Sequence, residues 1–506
     1  MNVVEEVDHN DRPRKKLNTD KTKDTVVTVS APGKILLCGG YLVLDERNTG
    51  LVIAADKRFY SSVRTVSASI CDGSNTSGDK KGIDDKDKIQ VYVNSPQFHS
   101  TWTYTYDRSN RLLIPSRNNK SENPFVEKTL RVCLIYLVPK YESVSVASST
   151  DINTAKISSL HVLIRADNDF YSVLPHLGTN LNNNRTLKGV TALPKFLPCP
   201  IDPSTGKVVV HKTGLGSSAA LTTSLVGALV YNFQQQQDQK EEETAKSITT
   251  SAIIHNLAQI CHCFAQGKVG SGFDVSAACH GTHVYRRFPK CLLPDLLQQL
   301  DNYEKNQHYP NKDADDYDET KIKHQHIRLY ETIRNSAELV PWKEDMVEEL
   351  NLPNDLQLML ADVRGGSESP SMAKKVLKWK AEQTEKEVPH WTALSMLNPK
   401  IVESIRLLQS GEHAVNYDFL SIIPASDWPS DSPLSSLRDD FIQIRSELRS
   451  MGEAAGVPIE PKPQQELCDA TSQLPGVIAA LVRRSKSNVF KINRIATSNL
   501  PFVYLL

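Results

Sequence analysis

The stretch His211-Lys-Thr-Gly-Leu-Gly-Ser-Ser-Ala-Ala-Leu-Thr-Thr-Ser-Leu-Val-Gly-Ala-Leu-Val230 runs from a glycine-rich turn directly into a helical pattern. Gly214 and Gly216 let backbone N–H groups approach a ligand closely, and the serine pair at 217–218 begins the expected helix. Because a helix N-terminus carries partial positive charge, such a turn favours an anion, usually a phosphate. A Walker A loop is excluded, since its lysine follows the last glycine, whereas Lys212 precedes both glycines here.

Composition restricts the class of protein. The chain has 506 residues, enough for two or three domains, and its 39% apolar and 23% charged residues are typical of a globular protein with some polar insertions. Lys plus Arg and Asp plus Glu both number 59, so no overall basic field attracts nucleic acid or anionic lipid. Any phosphate chemistry must therefore depend on a local cluster of cations.

The sequence also bears on compartment. No run of about 18 apolar residues occurs, so we expect no membrane-spanning helix. The nine cysteines form no Cys-x-x-Cys pair, which favours reduced thiols. The N-terminal residues lack the apolar core of a secretory signal, and the last three residues are not Ser-Lys-Leu. We therefore expect a cytoplasmic protein.

Short β-type runs and helical patterns together predict an α+β chain. Strands are expected at Val26–Val29, Ile35–Leu37, Tyr41–Leu44, Leu51–Ala55, Phe59–Val66, Ile89–Val93, Trp102–Tyr106, His161–Arg165 and Leu356–Val363. Helices are expected from Asn123-Pro124 onward, from the glycine loop to about Gln234, and at Ile248–Gln266, Ser369–Lys386, 391–410 and 432–451. In the helix after the glycine loop, one buried face is predicted from the i, i+4, i+7, i+8 spacing of Leu221, Leu225, Ala228 and Leu229.

Two further segments carry residues suited to chemistry. The first, Ser30-Ala-Pro-Gly-Lys-Ile-Leu-Leu-Cys-Gly-Gly-Tyr-Leu-Val-Leu44, places Lys34 at an expected Pro-Gly turn between strands, which by itself is typical of a surface turn. The second, 265–280, has a loop with three glycines that presents Lys268 and Asp274 together. A carboxylate beside a lysine can orient an acceptor group, although a salt-bridged loop has the same composition.

Two other patterns are weaker. Residues 362–372 (DVRGGSESPSM) break from a strand into Gly-Gly and hydroxyls, which is a second potential anion site but a common loop composition. His255 and His262 lie seven residues apart on one helical face, with Cys261 and Cys263 beside the second histidine. The spacing lacks a closed set of metal ligands, so we favour structural packing over metal binding.

Several segments, in their order along the chain, resemble the GHMP kinase superfamily and, within it, the eukaryotic phosphomevalonate kinases. They are SAPGKILLCGGYLVLD, NPFVEK, KTGLGSSAALTT, HNLAQICHCFAQGKVGSGFDVSAA, YRRFP, GSESPSMAKKVLKW and GVPIEPKPQQELCDATSQLPGV. The match spans roughly 26–482, with insertions. GGYLVLD together with AQGKVGSGFD is what indicates this branch, since Gly-x-Gly-Ser-Ser-Ala indicates only the superfamily.

The resemblance implies an α+β, two-domain GHMP kinase fold, with a ribosomal protein S5 domain 2-like N-terminal domain, a ferredoxin-like C-terminal domain and the active site in the cleft. The N-terminal, ATP-binding domain is expected at 25–295, with polar insertions near 67–88 and 234–246, and the C-terminal domain, apparently incomplete, at 331–482. The remaining expectations are a disordered tail at 1–24, a charged linker at 296–330 and an atypical tail at 483–506.

The resemblance also implies the reaction. The donor is MgATP, with ATP and Mg²⁺ as cofactors, and the acceptor is (R)-5-phosphomevalonate, which becomes (R)-5-diphosphomevalonate in the mevalonate route to isoprenoids and sterols. No nucleic acid or membrane partner is expected. The implied catalytic residues are Lys34, Lys212 and Asp274, and Ser218 would offer its hydroxyl to Mg²⁺. The implied ATP phosphate loop comprises Lys212, Thr213, Gly214, Leu215, Gly216, Ser217, Ser218, Ala219, Ala220, Leu221 and Thr222. The implied acceptor-binding residues are Lys268, Ser271, Gly272 and Ser367.

Physical chemistry agrees with a phosphate acceptor. Two phosphates repel each other more strongly as the site loses water, so cations and backbone donors must offset that repulsion. A phosphomonoester has a second pKa of about 6, so its oxygen is already a nucleophile at neutral pH. We therefore assign Asp274 to orienting Lys34 and the acceptor rather than to obligatory proton removal, an emphasis that an alcohol acceptor would reverse.

The chain departs from the family pattern in two places. Where the mevalonate kinase branch has a Mg²⁺-binding glutamate, this chain has Cys261-His262-Cys263, so the second metal ligand is unidentified. Where the family has a third motif, Gly-Ala-Gly-Gly-Tyr-Asp, residues 477–506 contain no glycine and no acid. We hypothesise a frame change or a retained intron near codons 477–485. As written, the chain is predicted to lack a phosphate-facing loop and a sheet strand, with severely reduced activity and poor stability.

Two other functions remain open from the sequence. One is another GHMP kinase, such as mevalonate kinase. The other is a non-catalytic protein of the same fold that binds a ligand or partner. The absence of the third motif favours the second alternative, whereas the joint presence of Lys34, Ser218 and Asp274 argues against it.

Overall fold

The computed structural model describes residues 2–5, 26–67, 87–148, 157–177, 193–235, 249–305, 319–339, 342, 346–361, 369–383, 388–411, 415–483 and 486–492. The strands are β1 (Asn2–Glu5), β2 (Val26–Cys38), β3 (Thr49–Ser67), β4 (Lys88–Ser95), β5 (Ser100–Asp107), β6 (Leu112–Pro115), β7 (Ile157–Ala166), β8 (His283–Arg286), β9 (Val347–Glu349), β10 (Leu356–Ala361), β11 (Val477–Arg483) and β12 (Lys486–Ile492). The helices are α1 (Pro124–Ser148), α2 (Ser217–Gln235), α3 (Thr250–Gln266), α4 (Phe273–His280), α5 (Pro294–Lys305), α6 (Glu319–Arg334), α7 (Ser369–Glu382), α8 (Pro389–Ser410), α9 (Tyr417–Leu420), α10 (Pro433–Ala454) and α11 (Lys462–Ser472).

The larger sheet has nine strands. Seven follow the order β1-β2-β3-β7-β4-β5-β6, while β8 pairs with β3 and β9 pairs with β8. The β4–β7 pair is parallel and the other pairs are antiparallel. Buried and outward residues alternate along β4 and β5, as expected for strands with one face against a core. β1 differs from the prediction, because residues assigned to a disordered tail pair with β2.

The turn predicted at Pro32-Gly33 is wrong, because these residues lie within a strand. Val26–Val29 and Ile35–Leu37 belong to one strand, β2, and Lys34 lies inside it rather than at a turn. The register of β2 against β3 shifts between Pro32 and Lys34, so the Pro-Gly pair forms a bulge. A bulge tolerates proline, which has no N–H to donate to the ladder, and it redirects the next side chain.

The expected strand at Tyr41–Leu44 is also wrong. Leu42–Leu44 form a 3₁₀ turn whose Leu42 and Val43 side chains are buried. The Val43 N–H donates to the Gly39 carbonyl at 3.1 Å, which closes this turn after the Gly39-Gly40 pair. A run of three or four apolar residues is too short to show a periodicity, so the sequence cannot distinguish a buried turn from a strand.

The glycine-loop helix, α2, is buried on more than one face. Every residue from Ala219 to Val230 is buried, whereas the sequence predicts a single apolar face. The helix contacts β2 and β3 on one side and α1, α3 and α4 on others. A helix surrounded by other elements has apolar or small side chains on every face. The alanines and Gly227 of α2 allow the neighbouring helices and strands to pack close to its backbone.

The C-terminal part has a smaller antiparallel sheet in the order β10-β12-β11. β12 pairs with both neighbours, so residues 486–492 supply the central strand. Residues 486–492 thus form a strand, and the predicted loss of one strand from the whole unit stays a prediction. Of the four strands of a ferredoxin-like unit, three occur among the residues that the structure describes. α8 packs on α10, and α10 and α11 pack on β11.

The two parts of the chain are joined by specific contacts. The Asn398 side chain of α8 accepts a hydrogen bond from the Gly39 N–H at 3.1 Å. β9 lies within the predicted C-terminal domain but belongs to the nine-stranded sheet. The predicted linker at 296–330 is partly helical, with α5 burying Leu296 and Leu300, so the domain boundaries stay a prediction. Most of the insertions predicted near 67–88 and 234–246 lies outside the described residues, which omit 68–86 and 236–248.

No helix in the described ranges combines the length and the apolar character needed to cross a bilayer.

Candidate active site

The phosphate loop precedes α2 in a backbone conformation that glycine permits. Gly214 and Gly216 have φ of 84° and 80°, in the left-handed region. The Leu215 carbonyl accepts a hydrogen bond of 2.8 Å from the Lys34 N–H, which ties the loop to the bulge of β2. The loop therefore presents the first N–H groups of α2 on a fixed base, an arrangement that binds anions.

Lys34 is buried beneath this loop. Its side chain is enclosed, with the residue 4% exposed, and Nζ donates to the Gly214 carbonyl at 3.4 Å. The ammonium also lies 5.3 Å from the centre of the Phe273 ring. A Cβ on Gly216 would come within 2.7 Å of Lys34 Cε. Gly216 is therefore required both for its backbone angle and for the space that the lysine occupies.

Asp274 lies in the first turn of α4, where a carboxylate is favoured by the helix dipole. The preceding Gly272 has φ of 82°, and a Cβ there would approach Phe288 Cε1 to 2.5 Å. Its carbonyl accepts a hydrogen bond of 2.7 Å from the Gln259 amide, and the Ser271 carbonyl accepts one of 2.7 Å from the Tyr285 hydroxyl. These contacts fix the direction in which α4 begins.

His262 is the main residue that sequence reasoning missed. Its Nε2 lies 3.1 Å from Ser218 Oγ and 3.9 Å from Asp274 Oδ2. Burial lowers the pKa of His262, the Lys34 charge lowers it further, and Asp274 opposes both effects. The histidine thus joins the start of α2 to the start of α4. The available signal was its place one turn before the end of α3, directly ahead of the glycine loop.

The metal-binding hypothesis for the two histidines is not supported. His255 lies in a separate cluster, with its ring 4.9 Å from that of His280 and 5.5 Å from that of Trp342. Within the described ranges, no group of three or more His, Cys, Asp or Glu side chains could hold an ion. Packing, the favoured alternative, accounts for His255, while His262 contacts the candidate site.

Arg287 and Tyr171 also support the site and were not singled out from the sequence. Arg287 is buried and donates to the Gly270 carbonyl at 2.6 Å and to the Leu44 carbonyl at 2.7 Å. It therefore clamps the glycine loop before α4 to the 3₁₀ turn after β2. The Tyr171 hydroxyl hydrogen-bonds Ser217, so the two serines at the start of α2 have different partners.

The predicted residues separate into two groups. Lys34, Gly214, Gly216, Ser218 and Asp274 lie together, linked by the contacts above. Lys212 and Lys268 are exposed, and neither ammonium forms an ion pair within the part of the chain that the structure describes.

The other predicted residues have different positions. Thr213 donates from its hydroxyl to the Asp169 carbonyl at 2.5 Å. Ser367 lies outside the described residues. The roles assigned to all of these residues stay predictions.

The oxygen donors suit a nucleotide-bound Mg²⁺. Ser218 Oγ and the Asp274 carboxylate are hard ligands, and both lie close to the same nitrogen of His262. Mg²⁺ commonly takes one or two protein oxygens together with substrate phosphates and water. The triphosphate would thus have to supply several of the ligands.

Comparison with known proteins identifies the family of the chain. Residues 184–282, which contain the phosphate loop, α2, α3 and α4, match the family model described as the GHMP kinases N terminal domain. The chain is 34% identical over 474 residues to "Phosphomevalonate kinase erg8" of Aspergillus fumigatus, covering 90% of this chain and 84% of that protein. It is 30% identical over 482 residues to "Phosphomevalonate kinase, peroxisomal" of Arabidopsis thaliana, covering 90% and 86%.

A solved structure supports the fold. A Lin0012 protein from Listeria innocua superposes with a TM-score of 0.51 at 14% identity, covering 92% of this chain and 90% of that protein. The predicted α+β, two-domain GHMP kinase fold is confirmed. Because its relatives match it across most of their own length, the chain belongs to the phosphomevalonate kinases of the GHMP kinase superfamily.

Proposed function

We propose that the chain transfers the terminal phosphoryl group of MgATP to the phosphate of (R)-5-phosphomevalonate, forming (R)-5-diphosphomevalonate and ADP. The observation that carries this proposal is the convergence of Lys34, the loop at 214–218 and Asp274. The names of the relatives support the choice of acceptor. The product would enter the mevalonate route to isoprenoids and sterols.

The bond changes are simple. An acceptor phosphate oxygen forms a bond to the γ-phosphorus of ATP while the bond from that phosphorus to the bridging oxygen breaks, and the electron pair leaves with ADP. The acceptor is largely a dianion at neutral pH, because its second pKa is about 6, so no proton has to be removed. The protein must instead position two anions and stabilise the charge between them.

The chain's own residues suit that task. Lys34 is a cation held in a water-poor site, where its attraction for phosphate exceeds that of an exposed lysine. The N–H groups at the start of α2 add donors that need no reorganisation. Asp274 would orient the acceptor and offset part of the lysine charge. Ser218 and Asp274 would supply the protein oxygens that hold Mg²⁺, which when bound with ATP would offset the charge of the phosphates.

The decisive experiment is ADP release measured with 5-phosphomevalonate, with mevalonate and with no acceptor. We expect release to depend on 5-phosphomevalonate, and the product should be identified as a diphosphate by ³¹P NMR. Turnover with mevalonate alone would instead indicate mevalonate kinase. An Asp274→Asn variant should turn over about 10²-fold more slowly, without a new dependence on pH above 7, if the carboxylate orients rather than abstracts a proton.

One observation favours a catalytically impaired protein as the second candidate. Residues 477–483 and 486–492 form β11 and β12 without a glycine or an acid, where the family pattern has a third glycine-rich motif. We expect turnover well below that of the Aspergillus fumigatus relative assayed side by side. Nucleotide binding without turnover of either acceptor would select this candidate, and turnover equal to the relative would exclude it.

We further propose a cytoplasmic location. Eight described cysteines are free, seven of them buried, as expected of a reducing compartment. The Arabidopsis thaliana relative is named as a peroxisomal protein. Imaging of the protein tagged at either end, with a peroxisomal marker, distinguishes the two locations, and punctate overlap with the marker would contradict the proposal.

A further inference from the structure

His262 is enclosed by groups from three helices. The residue is 3% exposed, and its ring lies 5.6 Å from that of Phe125 at the start of α1. Its Nε2 faces Ser218 Oγ of α2 at 3.1 Å, the Gln266 amide nitrogen at 3.1 Å and Asp274 Oδ2 of α4 at 3.9 Å.

The neighbours determine which atom carries the proton. An amide NH₂ group donates and never accepts, so the contact from Gln266 makes His262 Nε2 an acceptor. Nε2 has one lone pair, which the Gln266 amide and the Ser218 hydroxyl share, and the contact with Ser218 can only run from the serine to the histidine. The 3.9 Å separation from Asp274 fits this assignment, since an unprotonated nitrogen has nothing to donate to a carboxylate.

The direction of the serine proton has a chemical consequence. A serine oxygen has one proton and two lone pairs, and a proton directed at His262 leaves the lone pairs directed elsewhere. Without the imidazole, the hydroxyl loses this acceptor and is free to rotate. A hydroxyl proton directed at the metal position would keep Mg²⁺ from the serine oxygen.

We propose that His262 is a positioning residue, whose Nε2 accepts the Ser218 hydroxyl proton and so leaves the serine lone pairs available to ligate the Mg²⁺ of MgATP. This inference rests on the proposed function for its catalytic consequence. It gives His262 a role in the region where the mevalonate kinase branch has a Mg²⁺-binding glutamate and this chain has no acid. Replacing a group that orients a metal ligand typically weakens metal affinity or activity by about 10–100-fold.

The variants are chosen to isolate the acceptor nitrogen. His262→Met removes the acceptor while keeping an apolar volume, and His262→Gln restores a polar atom at similar reach. His255→Met is the matched control, because His255 is a buried histidine of the same helix that makes no contact with Ser218. Each variant is also made in a Ser218→Ala background.

Two readouts separate positioning from general packing. The first is the affinity of the AMPPNP-bound protein for Mn²⁺, measured from free Mn²⁺ by electron paramagnetic resonance. The second is the split between kcat and KM for MgATP with 5-phosphomevalonate. For His262→Met we expect Mn²⁺ affinity about 10-fold weaker and kcat about 30-fold lower, with metal-free AMPPNP affinity little changed. His262→Gln should recover most of both losses, and His255→Met should lower only the thermal midpoint.

The double variants give the strictest test. Once Ser218 is alanine, replacing His262 should cost about 3-fold or less, because the two side chains act as one unit. Equal losses in both backgrounds, or unchanged Mn²⁺ affinity in His262→Met, would overturn the inference. If the wild-type protein turned over no acceptor, the proposed function would fail, while the Mn²⁺ measurements would still decide the role of His262.

Discussion

The interior of the candidate site and its exposed rim both carry lysines, but they hold them differently. Lys34 comes from a bulge in a central strand and is packed against Gly216 and Phe273. Lys212 and Lys268 lie on exposed loops before α2 and after α3. A buried, clamped ammonium can stabilise charge at one point, whereas an exposed one attracts anions over a broad area and is screened by salt.

The same contrast extends to the backbone. The loop before α4 is clamped by Arg287, Tyr285 and Gln259, each of which hydrogen-bonds a backbone carbonyl. The site interior is therefore built from groups whose direction is set by neighbouring elements. Such preorganisation is the largest source of rate acceleration when charges must be brought together. We expect the effect of a substitution to follow how firmly the side chain is held.

The largest effect is expected from Lys34→Met. Loss of a preorganised cation at the transferred phosphoryl group should lower kcat about 10³-fold, with a smaller change in KM. Lys128→Met is the matched control, because Lys128 is also largely buried, lies 4.2 Å from the centre of the Phe264 ring and pairs with Glu304. Steady-state kinetics on both variants provide the measurement. A comparable loss in Lys128→Met would mean that stability, not position, explains the effect.

Gly216→Ala should have the next largest effect. The added Cβ meets the Lys34 side chain and strains the backbone, so we expect kcat to fall about 10²-fold. Gly206→Ala shares the positive φ, at 65°, but has nothing within 4 Å of the added atom. It should lose only about 1 kcal/mol of unfolding free energy, from the left-handed backbone. Steady-state kinetics and thermal unfolding of Gly216→Ala and Gly206→Ala separate the clash with Lys34 from the backbone strain that both variants share. Equal kcat values for the two variants would show that the clash has no effect on catalysis.

The rim lysines should give a smaller effect of another kind. Lys212→Ala and Lys268→Ala are expected to raise the KM for ATP or the acceptor by about 3–10-fold at low ionic strength, with modest change in kcat. The difference from wild type should shrink at about 0.5 M salt, because exposed charges are screened. A kcat loss as large as that of Lys34→Met would break the distinction between interior and rim, and would favour the catalytic role predicted for Lys212.

A buried histidine outside the site sets a pH effect on stability. Burial lowers the pKa of His255 to about 3, with His280 nearby adding to the shift, whereas an unfolded histidine has a pKa of about 6.5. The unfolded chain therefore binds a proton that the folded chain resists, so stability is complete above pH 6.5 and declines as pH falls toward 3.

Chemical denaturation should reveal that decline. From pH 7 to 5 we expect His255 alone to lower the free energy of unfolding by about 2 kcal/mol. His255→Gln should flatten the slope, and the exposed His324→Gln should leave it unchanged. If the wild type and both variants showed the same dependence of unfolding free energy on pH, other groups would account for the acid sensitivity. One such group is His283, because burial lowers its pKa to about 4.

The sequence was sufficient where the signal was local. Asn123 was recognised as a helix cap, and its side chain does accept from the Phe125 N–H at 3.2 Å. The strands at 89–93 and 102–106 and the helix that begins at Ser217 occur as predicted. Each signal depends on residues within one turn or one strand of each other. Such patterns are preserved whatever the rest of the chain does.

Prediction failed where distant contacts decide the outcome. Pro32-Gly33 had the composition of a turn, but pairing with β3 on one side and the contact with Leu215 on the other keep it inside a strand. His262 was interpreted as packing because the residue that gives it a role, Ser218, is 44 positions away. The segment after 485 had no family pattern, yet it pairs between β10 and β11.

The amino-acid order alone thus determined the family, the phosphate loop and the set of residues that could do chemistry, because glycine, serine and lysine patterns act over a few positions. Only the tertiary structure decided which lysine is buried, which histidine faces the serine and which loop is clamped. Those outcomes depend on packing between elements far apart in the chain, and burial changes the strength of every charge involved.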